Sequence, residues 1–180
     1  MTDEWRQAAV AAGLDEFSAL WEARGEPLGD LNRARGGWSS AVRLSLPDSH
    51  IDGCVVKRQE NFRARTLRHP ISGVATLARE FLNLRRAAHR GLPVTEPLYF
   101  ARRRGDSTDQ AILVLRGLTG HRGLNEWFGP LREENRGATC VLLRQRMARA
   151  AGVLVRRCHD QGLLHNCLYP KHLMARAEGD

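Results

Sequence analysis

Cys54-Val55-Val56-Lys57 is a short apolar run that ends in a lysine. β-branched residues in such a run predict a strand, and the apolar side chains indicate that it is buried. Lysine is unusual here, because Lys57 and Lys171 are the two lysines among 28 basic residues. An ammonium group is a compact point charge that can approach a phosphate in a tight cleft. We interpret Lys57 as a strand-end lysine that either binds phosphate or extends into solvent.

Residues 26–62 predict two or three antiparallel strands, because glycine and proline turns punctuate short runs. Between two of these strands lie Gly36 and Gly37, followed by Ser39. Paired glycines let backbone N–H groups approach phosphate oxygens, and the serine hydroxyl can add a donor. A plain hairpin turn is the alternative interpretation. Upstream, helical spacing of apolar residues predicts a short helix over 14–21.

Downstream, residues 63–69 have the composition of a basic linker, and a helix is predicted to begin near residues 73–76. Its apolar residues recur at helical spacing and form one face. Glu80 follows Leu77 by one helical turn and so shares this face. A buried carboxylate needs a partner, because an unpaired buried charge is costly. Lys57 is the candidate partner, and a surface pair with Arg79 or Arg85 is the alternative.

The rest of the chain predicts two further strands and a long helix. The strands cover 94–101 and 111–115, with a turn at 105–107 between them, and a glycine-rich hinge follows. Apolar residues then mark an amphipathic helix over about 143–162. The order of strands, helix, strands, hinge and helices predicts an α+β fold with an antiparallel sheet, not a doubly wound parallel sheet.

Two histidines, His165 and His172, follow the long helix and flank Cys167. They could be structural residues of a loop or contributors to a reactive site. Zinc binding together with Cys158 and His159 is a third alternative, but the spacing matches no standard zinc pattern.

Composition limits the partners without selecting one. The net charge is +8 and hydrophobic residues make up 42 % of the chain, which predicts a folded basic protein. Arginine-rich surfaces suit phosphate, nucleic acid or an acidic membrane surface. The charge is scattered and no nucleic-acid-binding motif is present, so we do not expect a nucleic acid partner. None of the four cysteines forms a CxxC pair. We expect a cytoplasmic location without signal peptide or membrane span, with peripheral membrane contact left open.

These features together resemble the protein-kinase fold, and more closely the lipopolysaccharide kinase (Kdo/WaaP-like) family, in particular its InaA-type proteins. The resemblance covers about residues 36–174 and is carried by KRQENF at 57–62, RTLRHP at 65–70, REF at 79–81 and CLYPKH at 167–172. It implies a kinase-like sheet with one inserted helix, followed by a helical C-terminal lobe. The implied boundaries are an N-terminal helical extension over 1–25, an N-lobe over 26–116 and a partial C-lobe over 117–180.

The resemblance implies ATP-dependent phosphoryl transfer, with Mg²⁺, to a sugar hydroxyl of an anionic glycolipid such as the lipopolysaccharide core. It places Lys57 on the nucleotide phosphates, with Glu80 orienting it and the glycine hairpin of Gly36, Gly37 and Ser39 covering them. Further implied contacts are adenine at Arg116 and Gly117, and a transfer site shaped by His165, Cys167 and His172.

The presence of Cys167 in the catalytic loop and the lack of an acidic metal ligand favour a pseudokinase as the alternative. Cys167 stands where kinases have the catalytic-loop aspartate, and His172 stands at the position of a metal-binding asparagine. Mg²⁺ prefers oxygen ligands to imidazole. The chain ends at Asp180, thirteen residues after Cys167, where Glu178 or Asp180 would have to supply the acidic metal ligand. We therefore expect a truncated C-lobe and an incomplete ligand set.

Overall fold

The computed structural model describes residues 1–34, 36–46, 49, 51, 53–67, 69–133, 138–165 and 168–176, and the side chains of 130–139 lie outside this description. The chain divides into two compact units, Met1–Gly117 and Leu118–Asp180. The domain boundaries predicted from the sequence stay predictions. No helix within the described residues is long and apolar enough to cross a bilayer.

The first unit is built on a six-stranded antiparallel sheet flanked by helices. The helices are α1 (Asp3–Ala11), α2 (Phe17–Glu22) and α3 (Thr76–His89). The strands of the sheet are β1 (Glu26–Pro27), β2 (Asn32–Ala34), β3 (Gly37–Leu44), β4 (Cys54–Glu60), β7 (Pro97–Arg104) and β8 (Asp109–Arg116). They have the order β1-β3-β4-β8-β7, with β2 also pairing with β3. The predicted α+β class with one helix inserted between antiparallel strands is confirmed.

Side-chain alternation along β4 separates two cores on opposite faces of the sheet. Cys54 and Val56 are fully buried in a core that includes α1 and α2, with Trp5 and Leu20 at its centre. On the other face, Val55 packs with α3 in a second core. The N-terminal helices thus share a hydrophobic core with the sheet, and α1 is a helix that the sequence patterns did not reveal.

The prediction that residues 63–69 form a basic linker is wrong. This segment contains β5 (Arg63–Thr66), which pairs with β6 (His69–Ala75) as an antiparallel hairpin. Ala64 is buried while its arginine neighbours Arg63 and Arg65 are exposed. Alternating arginines on the exposed face of the strand make it look like a linker in composition, although its period is that of a strand.

The second unit is mainly helical, with α4 (Leu124–Glu133) and α5 (Ala138–Asp160) as its helices. A short 3-10 helix, Pro170–His172, and a two-stranded ladder of β9 (Arg122–Gly123) with β10 (Met174–Ala175) complete its described part. The long helix predicted over 143–162 is confirmed in place and type. Helix α4 begins directly after the glycine-rich segment of Gly117, Gly120 and Gly123, and the sequence patterns did not predict this helix.

Candidate functional site

Strand β4 and helix α3 bring a lysine and a glutamate into direct contact. The Lys57 Nζ atom lies 2.6 Å from Glu80 Oε1. The two side chains are 31 % and 34 % exposed, so the pair is sheltered by protein but accessible from solvent. Of the alternatives left open for Glu80, the structure contains the strand-to-helix pair. A sheltered ammonium held in one orientation can neutralise an approaching phosphate.

A buried glutamine determines how α3 begins beside this pair. Gln59 follows Lys57 by two residues, so both side chains lie on the same face of β4. Its Oε1 atom accepts hydrogen bonds from Leu77 N at 2.8 Å and from the Thr76 hydroxyl at 2.6 Å. Helix α3 has no side-chain cap of its own, so Gln59 supplies the cap from β4.

The same glutamine also joins the helix start to the chain segment after β4. Gln59 Nε2 donates to the Phe62 carbonyl at 2.7 Å, and that carbonyl also accepts from Thr76 N at 3.2 Å. Gln59 is completely buried. Glu80 lies one helical turn after Thr76. The hydrogen bonds of Gln59 therefore fix where the Glu80 carboxylate lies along the helix axis relative to β4.

Aromatic packing holds the next turn of α3 against the sheet. Phe81 stacks on Phe100 of β7 with ring centroids 5.1 Å apart. Leu77 is buried in the same core as Leu113 of β8. Polar contacts thus hold the first residues of α3, and apolar contacts hold the face that packs on the sheet. Glu80 therefore extends from a helix whose position is fixed at both places.

The glycines predicted to approach phosphate lie in a tight β2–β3 hairpin. Ala34 pairs with Gly37, and Gly36 sits in the turn with a φ of 76°. A Cβ atom at Gly37 would collide with the backbone carbonyl of Glu60, so strand packing alone requires glycine there. Ser39 lies opposite Gln59 in the β3–β4 ladder. The hairpin is present, and phosphate contact by Gly36, Gly37 and Ser39 stays a prediction.

The two residues predicted to contact adenine use their amide hydrogens within the first unit. Arg116 N donates to the Glu96 carbonyl, and Gly117 N donates to the Gly53 carbonyl, each at 2.9 Å. The Arg116 side chain bonds to the carboxylates of Glu4 and Glu96, and these bonds raise the pKa of its guanidinium further. Adenine contact at these positions stays a prediction, and the amides are already satisfied.

In the second unit the two predicted histidines lie near each other. The rings of His165 and His172 have centroids 5.4 Å apart, and both residues are exposed. Tyr169 N lies 3.4 Å from His172 Nδ1. Cys167 lies outside the described residues, as do Glu178 and Asp180. Among the described residues, no group of three or more His, Cys, Asp or Glu side chains could hold a metal ion.

The segment that carries His172 is attached to the start of α4 and to the short ladder before it. Leu124 N donates to the Leu173 carbonyl at 2.9 Å, and Trp127 Nε1 donates to the Ala175 carbonyl at 3.1 Å. A Cβ atom at Gly123 would lie 3.1 Å from the Lys171 Cα atom, so the glycine permits this close approach. The loop is thus braced by contacts about fifty residues away in sequence, which no local pattern predicts.

Sequence reasoning also missed a buried carboxylate at the start of β8. Asp109 is completely buried and lies 2.6 Å from Arg102 Nε and 2.8 Å from Arg63 Nε. The hydrogen bond from Arg102 is the main reason that the pKa of Asp109 lies below its ordinary value, and Arg63 adds to the effect. This cluster joins β5 to the β7–β8 hairpin. An acid at a strand start carries no signal of such a role.

Comparison with known proteins agrees with this architecture. The model of the "Lipopolysaccharide kinase (Kdo/WaaP) family" matches residues 18–180. Protein InaA of Escherichia coli (strain K12) is 23 % identical over 177 residues, which cover 96 % of this chain and 76 % of InaA.

A solved structure, WaaP in complex with acyl carrier protein, superimposes with a TM-score of 0.50 at 16 % identity. The superposition covers 89 % of this chain but 55 % of the WaaP chain, so the chain spans about half the length of that protein. At this identity the likeness concerns the kinase-like fold. Because the family model covers most of the sequence, the chain belongs to the lipopolysaccharide kinase (Kdo/WaaP) family.

Proposed function

We propose that this protein takes part in ATP-dependent phosphoryl transfer to a sugar hydroxyl of the lipopolysaccharide core or a related glycan. The observation that carries the proposal is the 2.6 Å contact between Lys57 and Glu80. A sheltered ammonium oriented by a helix carboxylate is the arrangement with which kinases hold nucleotide phosphates. Family membership supports a kinase-like function in general terms.

The residues of this chain would divide the work as follows. Lys57 would neutralise the nucleotide phosphates. Glu80 would restrict the Lys57 side chain to one orientation, so that less conformational entropy is lost when the phosphates bind. ATP, with Mg²⁺, would supply the transferred group and the counter-charge. His165, Cys167 and His172 would shape the transfer site. An anionic glycolipid acceptor would place the protein in the cytoplasm with peripheral contact at the inner face of the membrane.

A pseudokinase is the second candidate, because Cys167 occupies the position at which the kinase pattern has an aspartate. A thiol cannot simply replace a carboxylate that accepts the proton of the attacking hydroxyl. The substitution therefore favours a role in nucleotide binding. Transfer by this chain is still the first candidate, because positioning and charge stabilisation carry much of phosphoryl transfer.

Nucleotide binding to the full chain tests the proposal. A fluorescent ATP analogue is titrated in the presence of Mg²⁺ and displaced by ATP. Lys57→Met should weaken binding about 10- to 100-fold, the range expected for loss of charge-assisted hydrogen bonds. Arg43→Met is the control. Arg43 is an exposed arginine on β3 that forms a surface pair with Glu26, so its substitution removes the same charge outside the candidate site. Glu80→Gln is compared with Glu60→Gln, which alters a carboxylate bonded to Gln110.

The outcomes separate the candidates. Binding that depends on Lys57, followed by transfer of the γ-phosphate to purified lipopolysaccharide core, supports the kinase. Binding with the same dependence but no transfer to any glycan acceptor supports the pseudokinase. If ATP does not bind, or if Arg43→Met weakens binding as much as Lys57→Met, the proposal is wrong.

A further inference from the structure

The β5–β6 hairpin carries two aliphatic side chains that the protein leaves almost uncovered. Leu67 is fully exposed and Ile71 is 91 % exposed. Among the described residues, the next most exposed large hydrophobic side chain is Leu164, at 77 %. Single exposed apolar residues are common on protein surfaces, but two such side chains near one hairpin tip mark a surface suited to an apolar environment.

Two arginines border both aliphatic residues. Arg65 and Arg79 line a shallow groove that contains Ile71, and the same arginines line an adjoining groove that contains Leu67 and Pro70. Both arginines are exposed, and neither has an ion-pair partner among the residues that the structure describes. We name the residues Arg65, Leu67, Pro70, Ile71 and Arg79 the hairpin surface. It combines unpaired guanidinium groups with projecting apolar groups.

Hydrogen bonds to Asp109 hold the base of the hairpin. Arg63, at the start of β5, bonds to the buried carboxylate of Asp109 at 2.8 Å. Asn61 precedes it with a φ of 52° and exchanges backbone and side-chain hydrogen bonds with Asp109. Arg63 is therefore occupied by a structural contact, and the free charges of the hairpin surface are those of Arg65 and Arg79.

We propose that the hairpin surface docks on an anionic phospholipid membrane. Leu67 and Ile71 enter the boundary between headgroups and acyl chains, and Arg65 and Arg79 bind lipid phosphates. The complementary charge identifies the occupant, because guanidinium groups favour phosphate and anionic leaflets attract clustered basic residues. A leaflet also matches aliphatic groups that project without a deep pocket. The inference deepens the proposed function, since it names the surface by which the protein would meet a membrane-borne acceptor.

Vesicle flotation of the full chain tests this docking. The probes are phosphatidylcholine vesicles with and without phosphatidylglycerol. The wild type should float with the anionic vesicles and remain in solution with the neutral ones. The double variant Arg65→Gln/Arg79→Gln should bind the anionic vesicles about 10- to 30-fold more weakly, given about one kcal/mol per basic residue at such a surface. Leu67→Gln/Ile71→Gln should weaken binding about tenfold or more.

Matched controls separate docking from the general attraction of a basic protein. Arg33→Gln/Arg104→Gln removes the same charge from two other exposed arginines, and Val10→Gln/Leu164→Gln replaces two exposed aliphatic side chains elsewhere. Both should bind vesicles as the wild type does. Equal losses in controls and hairpin variants, or no binding of the wild type to anionic vesicles, would overturn the proposal. The proposal would also be overturned if the hairpin variants still bound the anionic vesicles but no longer bound an acidic protein that the wild type binds.

The nucleotide assay distinguishes this failure from failure of the proposed function. The hairpin variants should bind the fluorescent ATP analogue with unchanged affinity, and Lys57→Met should float with vesicles as the wild type does. If a hairpin variant loses flotation but keeps nucleotide binding, the result tests the hairpin surface and leaves the proposed function untouched. Loss of both properties in a hairpin variant would indicate misfolding, and unchanged far-ultraviolet circular dichroism and thermal midpoint are required before a variant is compared.

Discussion

Replacing Gln59 with methionine should destabilise the first unit, because it removes the cap of α3 without leaving a large cavity. Methionine matches glutamine in length and lack of branching, so packing changes little. The Leu77 amide loses its hydrogen-bond acceptor, and the Thr76 hydroxyl loses the same oxygen. The Phe62 carbonyl keeps the hydrogen bond from Thr76 N, so it is not left without a donor.

The magnitude follows from these losses. A buried amide without a partner costs about 1–3 kcal/mol, and a lost hydroxyl bond about 0.5–1.5 kcal/mol. Burying a thioether in place of an amide returns roughly 1 kcal/mol. We therefore expect Gln59→Met to lower the free energy of unfolding by about 0.5–3.5 kcal/mol. Because Gln59 also fixes the start of the helix that carries Glu80, nucleotide affinity should fall as well if the proposed function holds.

Urea unfolding monitored by tryptophan fluorescence measures this change. Gln110→Met is the matched control, since this glutamine lies on the neighbouring strand β8 and makes a part-buried hydrogen bond to Glu60 at 2.7 Å. The control should lower stability by less than about 1 kcal/mol. If Gln59→Met changes the free energy of unfolding no more than Gln110→Met does, the reasoning that Gln59 caps α3 is refuted.

Two further predictions concern buried ionisable groups. Asp109→Asn should lower the free energy of unfolding at pH 7 by about 2–4 kcal/mol, because it leaves Arg102 and Arg63 without their carboxylate. The pKa of Asp109 is held below its ordinary value of 3.8, so its stabilising contribution is present above that pH and is lost as the pH falls through the folded pKa. The difference between wild type and Asp109→Asn in urea unfolding should thus be constant above about pH 5 and shrink below about pH 4, and a constant difference down to pH 3 would contradict this assignment. Burial raises the pKa of the Cys54 thiol to about 12. At pH 8 the folded protein should therefore leave Cys54 unmodified by iodoacetamide while urea exposes it, as peptide mass spectrometry would show; rapid labelling of Cys54 in the native state would refute the burial argument.

Local patterns in the sequence were sufficient for the elements that carry the candidate pair. The β-branched apolar run before Lys57 predicts a strand, and the helical face that contains Glu80 predicts a helix. The strand continues past Lys57 to Glu60, so Lys57 is not the strand end that the run predicts. Their contact could also be anticipated, because a half-buried carboxylate needs a cation and the strand supplies one. The family resemblance rested on strings around these same residues, and the family match over residues 18–180 confirms it.

What the sequence alone determined is therefore the pair of elements, their residues and the family. The tertiary structure decided which distant groups stabilise them, because those contacts join residues whose separation follows no local period. Gln59 caps a helix 18 residues downstream, and Asp109 binds an arginine 46 residues upstream. The hairpin from Arg63 to Ala75 was likewise hidden, since exposed arginines on one face of a strand have the composition of a linker. The segment forms a strand because tertiary packing buries the face of β5 that carries Ala64.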